Sequence, residues 1–178
     1  MIEKIKNNKA AAVTILGMAT ITILLLFAII LIDIGKVREF RNISFNSLQM
    51  AAQRGIMEQN SVGGLKPSSA TFAVEEYTEQ TKIGFGAYRG KCGTPEFRFK
   101  FDKGRHLGLS GVSSKEYTLA TLPADNDLKF AKQKYDTLTI QVKDVTGNFF
   151  NFFNNPCTTF TAEASATTSG EFDNIEVK

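Results

Sequence analysis

The chain has 178 residues, of which 43% are hydrophobic and 22% are charged. This length suits one globular domain with an appendage, and the composition argues against a chain that is disordered throughout. The formal net charge of +3 arises in one region: residues 1–60 carry seven Lys and Arg against four Asp and Glu, whereas residues 61–178 carry fourteen of each. The positive excess flanks an apolar segment, which favours membrane topology over a polyanion partner as its cause.

A long apolar segment begins near the N-terminus. Residues 10–32 contain no ionisable side chain, and thirteen of these 23 residues are Leu, Ile, Val or Phe. As a helix the segment would reach about 34 Å, slightly more than the ~30 Å hydrocarbon core of a bilayer. A buried core helix is the weaker alternative, and a cleaved secretory signal would have a shorter apolar region. We therefore predict an uncleaved signal anchor, with a cytoplasmic leader at 1–9 and a transmembrane helix at 10–34.

The flanking charges indicate the orientation of this helix only weakly, because basic residues lie on both sides of it: Lys4, Lys6, Lys9, Lys36, Arg38 and Arg41. The cysteines say more. Cys92 and Cys157 are the only two, they lie 65 positions apart, and both fall in the polar part of the chain. One disulfide is predicted, which would require an oxidising compartment for the C-terminal domain.

Two other arrangements of the cysteines compete with a disulfide. Free cysteines are commonly buried, so two unpaired thiols are the main alternative. A zinc site would need about four ligands, and the chain has no C-x-x-C pair and a single histidine, His106.

The helical pattern continues beyond the membrane. We predict an extension over 35–60, with an apolar stripe that includes Phe40, Ile43, Leu48 and Met50. Two adjacent glycines and a proline in "SVGGLKPSS", residues 61–69, mark its end.

After this linker the sequence is predicted to change to strands. "EFRFKFD", "DTLTIQVKDV" and "TTFTAEASATT" each alternate apolar and polar residues, and "EFDNIEVK" is a candidate for a last short strand. "GNFFNFFNNP" is either a buried helical turn or a loop that plugs the core. The predicted fold class is α+β, with an antiparallel sheet in a β-rich domain at 61–178 that packs on the C-terminal half of the long helix.

Two stretches resemble a known family. The leader, "AAAV", the apolar helix and "IDIGKVREFRNISFNSLQMAAQRG" resemble the N-terminal region of the TadE- and TadG-like proteins of tight-adherence (Flp-type) pilus systems. Asp33, Gly35 and Arg41 occupy family positions, as does the Leu-Gln-x-Ala-Ala stretch that begins at Leu48. "YDTLTIQVKDV" with "TTFTAEASATTSGE" is similar to the family's closing hairpin. About 60 N-terminal and some 35 C-terminal residues carry the resemblance.

The sequence departs from the family at two positions. Lys9 stands where a prepilin peptidase needs a small residue, and Thr14 stands where a pilin-type helix usually carries a buried glutamate. A long charged side chain would block cleavage, and a threonine could not neutralise the N-terminal amine of a neighbouring subunit. The resemblance implies a pseudopilin-like protein, and the two departures from it predict that the chain keeps its N-terminus.

No catalytic, cofactor or metal site is predicted. His106 lies near Asp102 and Ser110 in sequence, but there is no G-x-S-x-G motif, and "GFGAYRGKCG" lacks the spacing of a phosphate-binding loop. Residues 82–105 carry seven Lys and Arg against two Asp and Glu, a composition that could attract nucleic acid or an anionic polymer. Alternating Phe residues more simply face the core with the basic side chains solvated opposite, so nucleic acid is not favoured as a partner.

We therefore predict a non-enzymatic, single-pass protein of the bacterial inner membrane, with its C-terminal domain in the periplasm or at the cell surface. It would act in pilus assembly or a type II/IV-like secretion system, by helix packing and docking to other components or to copies of itself. The residues predicted for packing are Gly17, Asp33, Phe40, Ile43, Leu48 and Met50. The alternative is a membrane-anchored binding or adhesion module outside any pilus machine.

Overall fold

A single helix, α1 (Ile2–Ile56), carries the apolar segment and continues into the folded domain. The structure is a computed structural model of the chain and describes residues 2–59, 63–89, 92–104, 113–147 and 157–168. The predicted continuation of the helix beyond the apolar segment is confirmed. Within that segment the hydroxyls of Thr20 and Thr22 donate to the carbonyls one turn back, at 2.8 and 2.9 Å. These bonds satisfy both hydroxyls without water.

A second helix, α2 (Ser68–Arg89), follows a turn and runs back along α1. This helix corrects the sequence-based expectation that strands begin directly after the linker. Two polar contacts hold its start in place: the Ser68 N–H donates to Asp125 Oδ1 at 2.8 Å, and the Ser69 hydroxyl donates to the Glu58 carbonyl at 3.0 Å. Asp125 thereby acts as an N-terminal cap supplied from a distant part of the chain.

Four antiparallel strands form one sheet in the order β2-β1-β3-β4. Their bounds are β1 Glu96–Lys103, β2 Ser113–Thr118, β3 Thr137–Gly147 and β4 Cys157–Thr167. A short helix, α3 (Leu128–Ala131), lies between β2 and β3 and is capped by Asp127. β1, β3 and β4 confirm the three alternating segments, whereas β2 was not predicted. "EFDNIEVK" and the four phenylalanines of "GNFFNFFNNP" lie outside the described residues.

One face of the sheet packs against α1 and α2. The register places Phe99 of β1 beside Ile140 of β3, which in turn pairs with Ala164 of β4, and all three side chains are buried. Arg98 and Glu163 lie on the opposite face and are exposed. Two helices on one face of an antiparallel sheet make an α+β domain, as predicted.

Candidate functional site

Residues 11–34 of α1, called the apolar half below, are mostly apolar and are largely uncovered. Its most apolar window has a mean hydropathy of 2.9, and none of that window is buried. Val13 is 71% exposed and Phe27 is 60% exposed. A core helix of a water-soluble domain would bury such side chains, so this is a helix long and apolar enough to span a membrane.

Burial of α1 begins abruptly at Phe40. Ile34 is 60% exposed, whereas Phe40 is 1% exposed only six positions later. Asp33 and Lys36, which lie at the end of the apolar segment, are half-buried. Because the helix has no break between these positions, the apolar half and the domain are parts of one continuous rod.

Phe40 makes the first aromatic contact between α1 and the sheet. Its ring meets that of Phe160, in β4, edge to face with centroids 5.1 Å apart. β4 then runs beside the remaining turns of α1. The start of β4 therefore lies at the end of the domain nearest the apolar half of α1.

The predicted apolar stripe divides into a covered part and an uncovered part. Phe40 and Leu48 are buried in the domain, Ile43 is half-buried, and Met50 is 48% exposed. Met50 is displaced by about 200° around the helix from Leu48, so the two cannot face the same sheet. Met50 is therefore not part of the core of the domain.

Small residues complete the buried side of α1. In the sequence they are a weaker sign of burial than the large apolar residues are. Ser44, Ser47, Ala51 and Ala52 are at most 4% exposed. A Cβ added to Gly55 would lie 2.6 Å from Leu138 Cδ2 and 2.9 Å from the Ser69 carbonyl oxygen. Close packing of α1 on α2 and β3 depends on these small side chains.

Gly17 and Gly35 behave differently from the buried glycine of α1. A Cβ added at either position would meet nothing within 4 Å. Gly17, predicted as a close-approach position, is therefore not packed against any other described part of the chain, and its use by a partner helix stays a prediction.

Cys92 and Cys157 form the predicted disulfide, with their Cα atoms 5.7 Å apart. Cys157 is the first residue of β4 and precedes Phe160 by three positions. The bridge therefore ties the segment that follows α2 to β4, at the end of the domain nearest the apolar helix.

An aromatic cluster occupies the other end of the domain. The rings of Phe101, Tyr117, Phe130 and Tyr135 pack with centroids 4.9 to 6.0 Å apart. Burial raises the pKa of Tyr135 above its ordinary value, and Tyr117 and Asp102 add to this. Burial also raises the pKa of Tyr117, with a further contribution from Asp127. Both effects favour the neutral phenol, as expected of structural tyrosines.

In the described part of the basic strip over residues 82–105, apolar and acidic residues of β1 stand between the basic ones. Its phenylalanines in β1 face the core, and one basic residue of β1 has a carboxylate near it, since Lys100 Nζ lies 3.7 Å from Asp102 Oδ1. Glu96 of the same strand lies with Oε2 3.9 Å from Lys143 Nζ of β3. His106 and Ser110 lie outside the described residues. In the part of the chain that the structure describes, no group of three or more His, Cys, Asp or Glu could hold a metal ion.

No family model, curated protein or solved structure matches the chain.

Proposed function

We propose that the protein is a single-pass membrane protein that acts by packing its apolar helix against other helices and by docking its disulfide-bonded domain to partners. The observation that carries this proposal is the division of α1, one half of which is exposed and apolar while the other half belongs to the domain core. Such an arrangement supports a span joined without a linker to a folded domain.

The disulfide supports a location outside the cytoplasm for this domain, because cytoplasmic thiols are kept reduced in most cells. The N-terminal leader would then lie in the cytoplasm. The inner membrane of a bacterium, with the domain in the periplasm or at the cell surface, fits both features.

The assembly role rests on the resemblance of the two ends of the chain to TadE- and TadG-like proteins. Its structural support is the helix itself, which offers Gly17 as an unfilled close-approach position and Asp33 near the end of the span. The function proposed is that of a non-enzymatic pilus-assembly or secretion-system component, pseudopilin-like but unprocessed.

The second candidate is a membrane-anchored binding or adhesion module. It is favoured by the polar face of the sheet, on which Arg98 and Glu163 are exposed. In this case the span would serve only as an anchor, and substitutions in it would leave the protein's function intact.

Photo-crosslinking in bacterial cells separates the two functions. A photoreactive residue replaces Leu24, which is 62% exposed in the apolar half of α1. If the span packs in an assembly, adducts with pilus or secretion-system components or with a second copy should form. Gly17→Leu and Asp33→Asn should abolish them.

The matched controls are the melting temperature of the domain and the intact mass of the membrane-extracted chain. The melting temperature of Gly17→Leu should equal that of the parent, because an added Cβ there would meet no described atom within 4 Å. Asp33→Asn keeps the size of a half-buried side chain and should shift the melting temperature little. Adducts that persist in both variants would favour the adhesion module. Loss of the first nine residues would show that the N-terminus is processed.

A further inference from the structure

One side of α1 carries two arginines directly after the apolar segment. Ile34, Arg38 and Arg41 follow the i, i+4, i+7 spacing of a single helical stripe, and all three are exposed. Arg38 lies about 200° around the helix from the buried Phe40. Arg41 lies about 100° from Phe40, and its side chain is exposed as well. Both guanidinium groups are therefore open to the surroundings of the helix.

Both arginines lie just outside the headgroup layer of a bilayer that the apolar segment would span. Ile32 is the last residue of the uncharged segment, and at about 1.5 Å per residue Arg38 and Arg41 follow it by roughly 9 and 14 Å. The polar headgroup region extends roughly 5 to 8 Å beyond the hydrocarbon core on each side, and long arginine side chains extend several ångströms from the helix axis. Their Cα atoms thus lie outside this layer, by roughly 1 to 4 Å for Arg38 and 6 to 9 Å for Arg41. Because helical side chains lean towards the N-terminus, here towards the bilayer, both guanidinium groups reach the layer when their side chains extend.

The charge of the two arginines is not balanced from within the helix. No carboxylate stands three or four positions from either residue, and Glu39 is turned by about 100° from Arg38. Among the described residues neither Arg38 nor Arg41 forms an ion pair. Arg54, farther along α1, provides the contrast: its Nη1 lies 3.4 Å from Glu58 Oε1, and its guanidinium covers the ring of Phe72 at 5.2 Å.

We propose that Arg38 and Arg41 form a binding site for the phosphate of anionic phospholipids in the leaflet next to the domain. A planar guanidinium presents paired donors that fit phosphate oxygens, and two such groups one turn apart favour a lipid with a net negative charge over a zwitterionic one. The inference rests on the proposed membrane anchoring. If the two arginines bind lipid phosphate, anionic lipid fixes how deeply the apolar half of α1 sits in the bilayer.

Fluorescence quenching by brominated lipids tests the site in the full chain. The protein contains no tryptophan, so Ile34→Trp introduces a single tryptophan, whose emission is followed, one turn before Arg38 in the helix. The variant is reconstituted into bilayers in which either phosphatidylglycerol or phosphatidylcholine carries bromine. Phosphatidylglycerol should be preferred next to the tryptophan by about threefold to tenfold at low salt, and the preference should fall as salt screens the charges.

Two double variants in the Ile34→Trp background assign the preference. Arg38→Gln with Arg41→Gln should bring the ratio of the two lipid affinities to about one. Lys129→Gln with Lys132→Gln removes the same charge from exposed positions at the far end of the domain, and the preference should remain. An intact disulfide and an unchanged melting temperature would show that each variant is folded.

The outcomes separate this proposal from the one on which it rests. If neither brominated lipid quenches the introduced tryptophan, the span is not in the bilayer and the proposed anchoring fails as well. Equal quenching by both lipids, or a preference that survives the double arginine substitution, overturns the headgroup site alone. Loss of crosslinks to an acidic protein in the arginine variant, without a change in lipid preference, would assign the two residues to that protein instead.

Discussion

The hydroxyl of Tyr77 donates a hydrogen bond to Asp144 Oδ2 at 2.7 Å, in a position where both residues are fully buried. The other carboxylate oxygen accepts from the Val145 N–H at 2.8 Å. Since Tyr77 belongs to α2 and Asp144 to β3, this bond joins the helical layer to the sheet. A charged acceptor in such a site makes the bond more important than an ordinary surface contact.

Replacing Tyr77 by Phe keeps the edge-to-face contact with Phe97, at 5.5 Å, and removes only the donor. We expect the free energy of unfolding to fall by about 1.5 to 3 kcal/mol, because the carboxylate stays buried with one partner fewer. Chemical denaturation of the full chain in detergent measures the change. Tyr117→Phe is the matched control and should cost less, so equal losses in the two variants would contradict the assignment.

Gly55→Ala should destabilise the domain. The added Cβ would approach Leu138 Cδ2 at 2.6 Å and the Ser69 carbonyl oxygen at 2.9 Å, so α1 must move away from α2 and β3. A loss of about 1 to 3 kcal/mol is expected from such overpacking. Gly35→Ala, with no atom within 4 Å of the new Cβ, should be neutral or gain up to about 1 kcal/mol from helix propensity. Thermal melts of the two variants should therefore shift in different directions or by clearly different amounts.

Phe40→Ala and Met50→Ala distinguish the core from the surface of the same helix. Phe40 is 1% exposed and packs on Phe160, so its truncation should cost about 3 to 5 kcal/mol. Met50 is 48% exposed, and its truncation should change the stability of the isolated protein by less than about 1 kcal/mol. If Met50→Ala reduces crosslinking to partners while the melting temperature is unchanged, this side of α1 is an interaction surface. A large loss of stability would instead place Met50 in the core.

The strands that were predicted correctly all alternate large apolar with polar side chains. In β1 the phenylalanines of "EFRFKFD" give this signal, and their side chains are buried as expected. α2 was missed because its buried stripe consists of Ala70, Ala73, Tyr77 and Thr81, which keep helical spacing with little hydrophobicity. β2, "SSKEYT", is an edge strand and is mostly exposed. Its extended conformation therefore depends more on pairing with β1 than on its own sequence.

Part of the candidate site could also be predicted from the sequence, because its signals are local. A run without charges predicts a helix long and apolar enough to span a membrane, and two cysteines allow only one intramolecular pair. Which side of α1 the domain covers depends on contacts with β4 and α2, which lie far away in the sequence. Helix geometry alone puts Leu48 and Met50 about 200° apart, so the sheet could bury only one of them, and the contacts decide that it is Leu48.

Replacing both cysteines by serine should lower the free energy of unfolding by about 2 to 4 kcal/mol, because the bridge closes a long loop in the unfolded chain. Denaturant titration of the double variant against the parent measures this loss. Thiol labelling of the denatured, unreduced parent extracted from membranes should find no free cysteine. Two labelled thiols would contradict both the bridge and an oxidising location of the domain.

Tyr135 should make the domain sensitive to alkali. Burial raises its pKa in the folded state, so the unfolded chain loses this proton first, at a pH of about 10. The stabilisation is complete below that pH and is lost as the pH rises towards the raised pKa of the folded state. Tyr135→Phe should therefore weaken the decline in stability above pH ~10, measured against the parent by denaturation at several pH values.

At neutral pH the same variant should be as stable as the parent or more stable by up to about 1 kcal/mol. The Tyr135 hydroxyl is buried and has no hydrogen-bond partner among the described residues, so its removal leaves no donor or acceptor behind. A marked loss of stability at pH 7 would show that the hydroxyl has a partner.

Because α1 is unbroken, the number of residues between Asp33 and Phe40 fixes the direction in which the sheet faces around the helix axis. One residue inserted there would turn the sheet by about 100° around the helix axis and move it outward by about 1.5 Å. Seven inserted residues would return it to within about 20° of its first direction, at a height roughly 10 Å greater. Binding of a neighbour that contacts both the apolar half of α1 and the domain would therefore depend on the rotation that an insertion causes as much as on its length.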